Sequence, residues 1–347
     1  MEIIDIVKQF DIQGDIVSIK PLGNGHINDT NLVTTTKEKY TFQRINTNIF
    51  KNPDELMDNL FAVTEYLKEN FPNELTISYV RTLDGKKYLN LDGICYRLSV
   101  FVDNVIGLDA ARDANDFYES AVAFGNFQKK LADFPAETLN ETIKSFHDTK
   151  WRIANLKEAA KANKSGRFST ASADYDFYVS REGKIDTGIE LPLRVTHNDT
   201  KLNNVLLDEK TGKGVCVIDL DTVMPGLSIN DFGDSIRFGA STAAEDEQDL
   251  SKVHFSLELY EAYVKGYFEG VGNALTNEEI MLLPHGAIMM TYECGARFLT
   301  DYFDGDVYFK TAYPEHNLVR SRTQMRLVEE MEHNYDKMVE IVQKYRP

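Results

Sequence analysis

Val195-Thr196-His197-Asn198-Asp199-Thr200-Lys201-Leu202-Asn203-Asn204-Val205-Leu206-Leu207, followed by Val217-Ile218-Asp219-Leu220-Asp221, is the stretch whose reading decides the fold. Asp199 stands five residues before Asn204, and Asp219 closes a second short apolar run. Phosphoryl transfer uses this combination. One carboxylate orients the attacking hydroxyl, while an amide and a second carboxylate hold Mg²⁺ against the nucleotide phosphates. Magnesium accepts hard oxygen donors of this kind together with substrate phosphates.

The residues between the two runs suggest how they meet. Asn204 to Leu207 and Val215 to Ile218 flank the polar, glycine-containing segment Asp208-Glu209-Lys210-Thr211-Gly212-Lys213-Gly214, a β-hairpin signature. A hairpin centred between Thr211 and Gly212 sets Asn204 opposite Asp219. Asp199 and His197 lie in the loop leading to that point, and Lys201 is placed to reach a γ-phosphate. A His-x-Asp pair alone is commonly a turn that bonds its own backbone; the whole set specifies chemistry. The expected roles are Asp199 as base, His197 as a brace of the loop, Lys201 as a stabiliser of the transferred charge, and Asn204 with Asp219 as magnesium ligands.

This set resembles the catalytic loop and metal-binding segment of the aminoglycoside phosphotransferase and choline kinase superfamily. Three longer runs, Thr196 to Asn204, Asp231-Phe232-Gly233-Asp234-Ser235-Ile236-Arg237-Phe238-Gly239-Ala240-Ser241-Thr242 and Tyr313-Pro314-Glu315-His316-Asn317-Leu318-Val319-Arg320, resemble the N-acetylhexosamine 1-kinases more specifically. The likeness covers the chain from near Pro21 to near Met331. It implies an α+β, bilobal protein-kinase-like fold: a small strand-rich N-terminal lobe over residues 1–102 and a larger, mainly helical C-terminal lobe over residues 103–347. It also implies ATP as phosphoryl donor, Mg²⁺ as cofactor, and the anomeric hydroxyl of N-acetylglucosamine or N-acetylgalactosamine as acceptor. Two alternatives stay open: the same fold acting on an amino alcohol, homoserine or an aminoglycoside, and a non-catalytic nucleotide-binding protein.

At 347 residues the chain has room for two domains, each with its own core. A net charge of −17 disfavours nucleic acid and anionic membranes, which need a positive surface. The partners expected are a nucleotide and a small-molecule sugar. Cys95, Cys216 and Cys294 are far apart and lack metal-ligand spacing, as free thiols in a reducing compartment would be. Met1 to Val7 carries acids where a signal peptide carries bases, and no apolar run approaches the roughly 18 residues of a membrane helix. A cytoplasmic protein is expected.

From Asp15 to about Val102 the pattern is strand-rich, with Ile16-Val17-Ser18-Ile19, Thr30-Asn31-Leu32-Val33, Tyr40-Thr41-Phe42 and Tyr96 to Val102 as strands. Leu56, Leu60, Val63 and Leu67 fall at helical spacing between them. The resemblance implies that backbone groups near Val100 and Val102 meet an adenine edge. Phe117 to Asp133, Trp151 to Asn163, His254 to Glu269, Asn277 to Met290 and Arg320 to Tyr345 read as helices. Lys164-Ser165-Gly166-Arg167 reads as a mobile insert.

Gly23-Asn24-Gly25-His26-Ile27-Asn28 separates the first two strands. Gly23 and Gly25 let backbone amides approach phosphate, although Asn28 replaces the third glycine of a complete phosphate loop; an ordinary hairpin turn is the alternative. The resemblance implies that His26 contacts the sugar, with a turn histidine as the other reading. The third strand of a kinase carries a lysine for the phosphates. Here Gln43 has no charge and Arg44 points to the opposite face, so that cation is unassigned. Asp221, two residues after Asp219, extends the metal site or caps its turn. Asp231 and Asp234 are expected to bond loop backbone. Arg297 lies among apolar neighbours and needs a partner, since a buried unpaired guanidinium is costly. An internal salt bridge answers that need; the resemblance instead implies Arg297 and Tyr308 as sugar contacts.

Overall fold

The alternation of apolar and polar residues near the N-terminus produces an antiparallel sheet. In the computed structural model, which describes residues 2–22, 29–185 and 188–347, six strands take part: β1 (Ile16–Pro21), β2 (Asp29–Thr35), β3 (Lys39–Arg44), β4 (Tyr79–Val80), β5 (Leu89–Leu91) and β6 (Ile94–Val100). Their order is β1-β2-β3-β6-β4, with β5 also on β6. Tyr40 and Phe42 of β3 point into a core shared with Val33, Leu89 and Leu98, and α1 (Ile3–Val7) covers it with Ile6 and Val7. Helix α2 (Pro53–Asn70) starts at the Asn52 cap and buries Leu56, Leu60, Val63 and Leu67, the face its spacing predicts.

Two compact units emerge from the contacts. The first comprises Met1–Gly107, Asp133–Lys144 and Val205–Pro225; the second comprises Leu108–Ala132, Ser145–Asn204 and Gly226–Pro347. The strand-rich N-terminal part is therefore joined by the hairpin that carries Asp219. In that hairpin Val205–Asp208 pairs with Gly214–Val217, and Val105–Gly107 lies along the other side of Val205–Asp208.

The hairpin register corrects the sequence expectation. Gly214 pairs with Leu207, but a bulge follows, and Cys216 then faces Leu206 and Val217 faces Val205. An inserted residue of this kind shifts the partner by one. The ladder ends there. Asn204 closes a 3-10 turn over Leu202–Asn204, and Asp219 adopts a left-handed conformation with φ 56° at the head of a second such turn, Leu220–Thr222. Neither residue is a strand residue, so they do not oppose each other in a sheet.

The second unit is helical: α3 (Ala114–Lys130), α4 (Thr149–Ala162), α5 (Ser172–Ile185), α6 (Ser228–Gly239), α7 (Leu257–Val271), α8 (Asn277–Asp304), α9 (His316–His333) and α10 (Tyr335–Tyr345). Helix α8 begins with a capping box between Thr276 and Glu279 and runs past Met290, its expected end, to Asp304. Helix α6 lies backbone to backbone against it: a Cβ on Gly233 would stand 2.3 Å from the Gly286 carbonyl oxygen. The helix expected over Arg320 to Tyr345 is two, broken at Asn334. Lys164 to Arg167 is a tight turn rather than a mobile insert. Asn163 and Gly166 take positive φ, the Ser165 amide donates to the Phe303 carbonyl at 3.1 Å, and Lys164 pairs with Asp304 at 2.7 Å. The architecture is α+β, as expected, and no helix among the described residues is long and apolar enough to cross a membrane.

Candidate active site

Residues Arg194–Thr196 form a short strand that delivers the chain to Asp199. The loop that follows is held from below by the carboxylates of α6. Asp231 accepts the amides of His197 and Asn198, each at 2.8 Å, and the Gln128 side-chain amide at 2.8 Å. Burial pushes the Asp231 carboxyl up, against the pull of these donors. Asp234 accepts the Thr200 amide at 3.1 Å and Arg237 Nε at 2.9 Å. Burial acts on it in the same direction, but Arg237, Lys201 and His147 outweigh that and hold it below its ordinary value. Both aspartates are spent on loop geometry, as the sequence reading expects.

Histidines complete the support. His197 is buried, edge-on to the rings of Phe124 and Phe127, and its Nδ1 accepts the Asp199 amide at 3.3 Å. His147 Nε2 lies 3.2 Å from the carbonyl oxygen of Asn198, a residue with φ 63°. Its Nδ1 lies 2.9 Å from Glu293 Oε1. A non-glycine residue stays left-handed only where its surroundings over-determine it. Here Asp231 holds its amide and His147 its carbonyl.

The loop brings three of the predicted residues together. Lys201 Nζ lies 2.8 Å from Asp199 Oδ1, and Asn204 Nδ2 donates to the Asp199 carbonyl oxygen at 2.8 Å and to Oδ2 at 3.1 Å. Burial pushes the Lys201 ammonium down, but Asp199 and Asp234 outweigh it and keep its affinity for the proton above the ordinary value. Lys201 is therefore a cation. With the amide nitrogen of Asn204 committed to Asp199, its Oδ1 is the atom left to face a cation. Asp219 belongs to the first unit. No cluster of three or more His, Cys, Asp or Glu suited to a metal occurs among the described residues. Few protein oxygens completed by phosphates and water are what Mg²⁺ accepts, and Asn204 and Asp219 are donors of that type.

Helix α8 adds a second pair of charges one turn apart. Glu293 is fully engaged, accepting from Thr149 Oγ1 at 2.6 Å as well as meeting His147. Arg297 is not. It is half-buried against the rings of Phe146 and Phe309, with its guanidinium carbon 5.3 and 5.8 Å from their centroids. It makes no hydrogen bond or ion pair among the described residues, so the internal salt bridge is absent. Arg152 and Arg237 lie within electrostatic reach; burial first, and then Arg297, lower the Arg152 pKa to about 10. Tyr308, 61% exposed, is also an electrostatic neighbour of Arg297. The Tyr308 amide is fixed by Asp301 Oδ1 at 2.8 Å.

Residues 18–268 match the APH phosphotransferase enzyme family. The chain belongs to that family. It is a small-molecule phosphotransferase, and solved structures share its fold over nearly the whole length. A microcompartment-associated aminopropanol kinase is 14% identical, with a TM-score of 0.61 over 97% of this chain and 98% of that one. A spectinomycin phosphotransferase, solved with ADP and spectinomycin, is 15% identical, with a TM-score of 0.59 over 98% and 96%. A choline kinase from Cryptosporidium parvum is 14% identical, with a TM-score of 0.59 over 99% and 98%. At such identities the likeness speaks to the fold alone.

The remaining predicted residues of this phosphotransferase fall as follows. Gly23, Gly25 and His26 lie outside the described residues. Val100 ends β6 with its amide donating to the Ser78 carbonyl at 2.8 Å, and Val102 lies beyond the ladder. Sequence reasoning passed over His147 and Glu293, which support the loop from distant positions and carry no local motif. It also passed over Arg97, whose signal was its register opposite Gln43.

Proposed function

We propose that the chain transfers the γ-phosphoryl group of ATP to the anomeric hydroxyl of an N-acetylhexosamine, giving the sugar 1-phosphate. Asp199 orients that hydroxyl and accepts its proton while the bond between O1 and the γ-phosphorus forms and the bond from that phosphorus to the β,γ-bridging oxygen breaks, releasing ADP. An anomeric hydroxyl is more acidic than an ordinary alcohol, so a carboxylate suffices as base. Lys201, held charged beside Asp199, stabilises the transferred group. Asn204 and Asp219 would hold Mg²⁺, which supplies charge neutralisation at the phosphates. His197 and His147 keep the loop in place and do not react.

The observation that carries the choice of acceptor is Arg297. A half-buried guanidinium with no hydrogen-bond or ion-pair partner among the described residues, flanked by two aromatic rings and with Arg152, Arg237 and the already engaged Glu293 in electrostatic reach, favours a neutral polyhydroxylated ring that accepts its hydrogen bonds. It repels a cationic amino alcohol or aminoglycoside. The test is magnesium-dependent ADP release with N-acetylglucosamine, N-acetylgalactosamine, glucose, choline, homoserine and kanamycin, with ³¹P NMR of any product. An anomeric phosphate signal is expected with the N-acetylhexosamines; release confined to choline or kanamycin would overturn the sugar reading. In the active pair, Asp199→Asn should lower kcat by about 10²–10⁴, the range for a general base. Activity within a few-fold of wild type would remove Asp199 from that role.

A further inference from the structure

Gln43 occupies the strand position at which kinases carry a phosphate lysine, and Arg44 points away, 3.9 Å from Asp29 at the surface. The nearest positive charge comes from the adjacent strand. Gln43 on β3 and Arg97 on β6 are direct antiparallel partners, so their side chains share one face. Arg97 Nε donates to Gln43 Oε1 at 2.9 Å, while Gln43 Nε2 donates to Thr30 Oγ1 at 3.2 Å and fixes the amide orientation. Arg97 is 2% exposed. Its two terminal nitrogens donate to the two carboxylate oxygens of Asp221, one of them at 3.0 Å.

Asp221 lies two residues beyond Asp219, inside the turn that Asp219 begins in a left-handed conformation. That conformation is strained for a non-glycine residue and persists where neighbours enforce it. A second brace acts two residues further on: the Val223 carbonyl accepts Asn59 Nδ2 of α2 at 3.0 Å. The segment is thus pinned at Asp221 by the sheet and at Val223 by the helix, all within the first unit.

We propose that Arg97 is a positioning residue for the metal carboxylate: by clamping Asp221 with two parallel hydrogen bonds against β6, it sets the turn that aims Asp219 at the magnesium–nucleotide complex. This rests on the phosphotransfer reading. A bidentate guanidinium–carboxylate pair constrains direction as well as distance, which a lysine cannot do.

The test replaces the pair with apolar residues of similar size, Arg97→Met/Asp221→Leu, which removes the brace and leaves the net charge of the protein unchanged. Mn²⁺ binding to the enzyme–ADP complex is measured by electron paramagnetic resonance, and ADP binding in EDTA by calorimetry. The double variant should fold with a cooperative melt, bind Mn²⁺ about 10–100-fold more weakly, and bind ADP in EDTA as the wild type does. Arg97→Lys should show a smaller loss of the same kind. Unchanged Mn²⁺ affinity in the folded double variant would overturn the proposal. So would an equal loss of ADP binding in EDTA, which would make Arg97 a direct nucleotide contact. If the double variant does not fold, Arg97→Lys decides by the same two measurements. A wild-type chain that takes up neither ADP nor Mn²⁺ would remove the phosphotransfer reading and this inference with it, an outcome separate from any loss confined to the variants.

Discussion

Arg97 and Arg297 are both withdrawn from water, yet the fold treats them in opposite ways. Arg97 meets two carboxylate oxygens and an amide oxygen; Arg297 packs on ring faces and makes no hydrogen bond or ion pair among the described residues. Taking a guanidinium out of water costs several kcal/mol, and an internal ion pair repays this only with good geometry. Where the chain supplies the pair, the charge serves the structure. Where it leaves the charge against the rings of Phe146 and Phe309, the proposed function assigns the missing hydrogen-bond acceptors to the substrate.

The comparison breaks most visibly in stability. Arg97→Met should cost about 3–5 kcal/mol, the usual result of leaving one member of a buried pair uncompensated. Arg97→Met/Asp221→Leu should recover most of it in urea denaturation. Arg297→Met should leave stability unchanged or slightly raised, because no hydrogen bond or ion pair among the described residues is lost. A loss as large as that of Arg97→Met would erase the distinction.

In catalysis the order reverses. Arg297→Met should lower kcat/KM for the N-acetylhexosamine about 10–100-fold, which corresponds to a charge-assisted hydrogen bond of about 1.5–3 kcal/mol, while the KM for ATP holds. Equal losses in both substrates would argue against an acceptor contact.

The smallest effect concerns Glu293, the partnered charge one turn from Arg297. Burial alone would raise its carboxyl, but His147, Thr149 and Arg297 together bring it below its ordinary value. A depressed carboxyl contributes stability above its unfolded pKa, about 4.3, and loses that contribution as pH falls through the folded value. Glu293→Gln should therefore destabilise at pH 7 and converge on wild type in acid. A constant offset across pH would mean that packing, not charge, sets the effect.

Much of the site was legible because its parts are close in sequence. Asp199, Lys201 and Asn204 lie within one loop, and their mutual hydrogen bonds need only local chain geometry. The strands and α2 declared themselves through periodic burial. Helix α6 was missed although Ile229, Phe232 and Ile236 fall at helical spacing, because the stripe is short and Asn230, Asp231, Asp234, Ser235 and Arg237 are buried beside it. The hairpin register failed by one residue because a bulge changes pairing without changing composition.

By itself the sequence determined the family chemistry: a carboxylate, a lysine and an amide at loop spacing, a second carboxylate on the following hairpin, and a strand-rich part before a helical one. Only the tertiary structure decided which charges are spoken for. Arg97 finds Asp221, Asn59 finds the Val223 carbonyl, and His147 joins Glu293 to the Asn198 carbonyl, each across a long span of chain. Such pairings depend on which elements pack together. A composition or a spacing cannot register them, and they separate the arginine paired with a carboxylate from the one packed against aromatic rings.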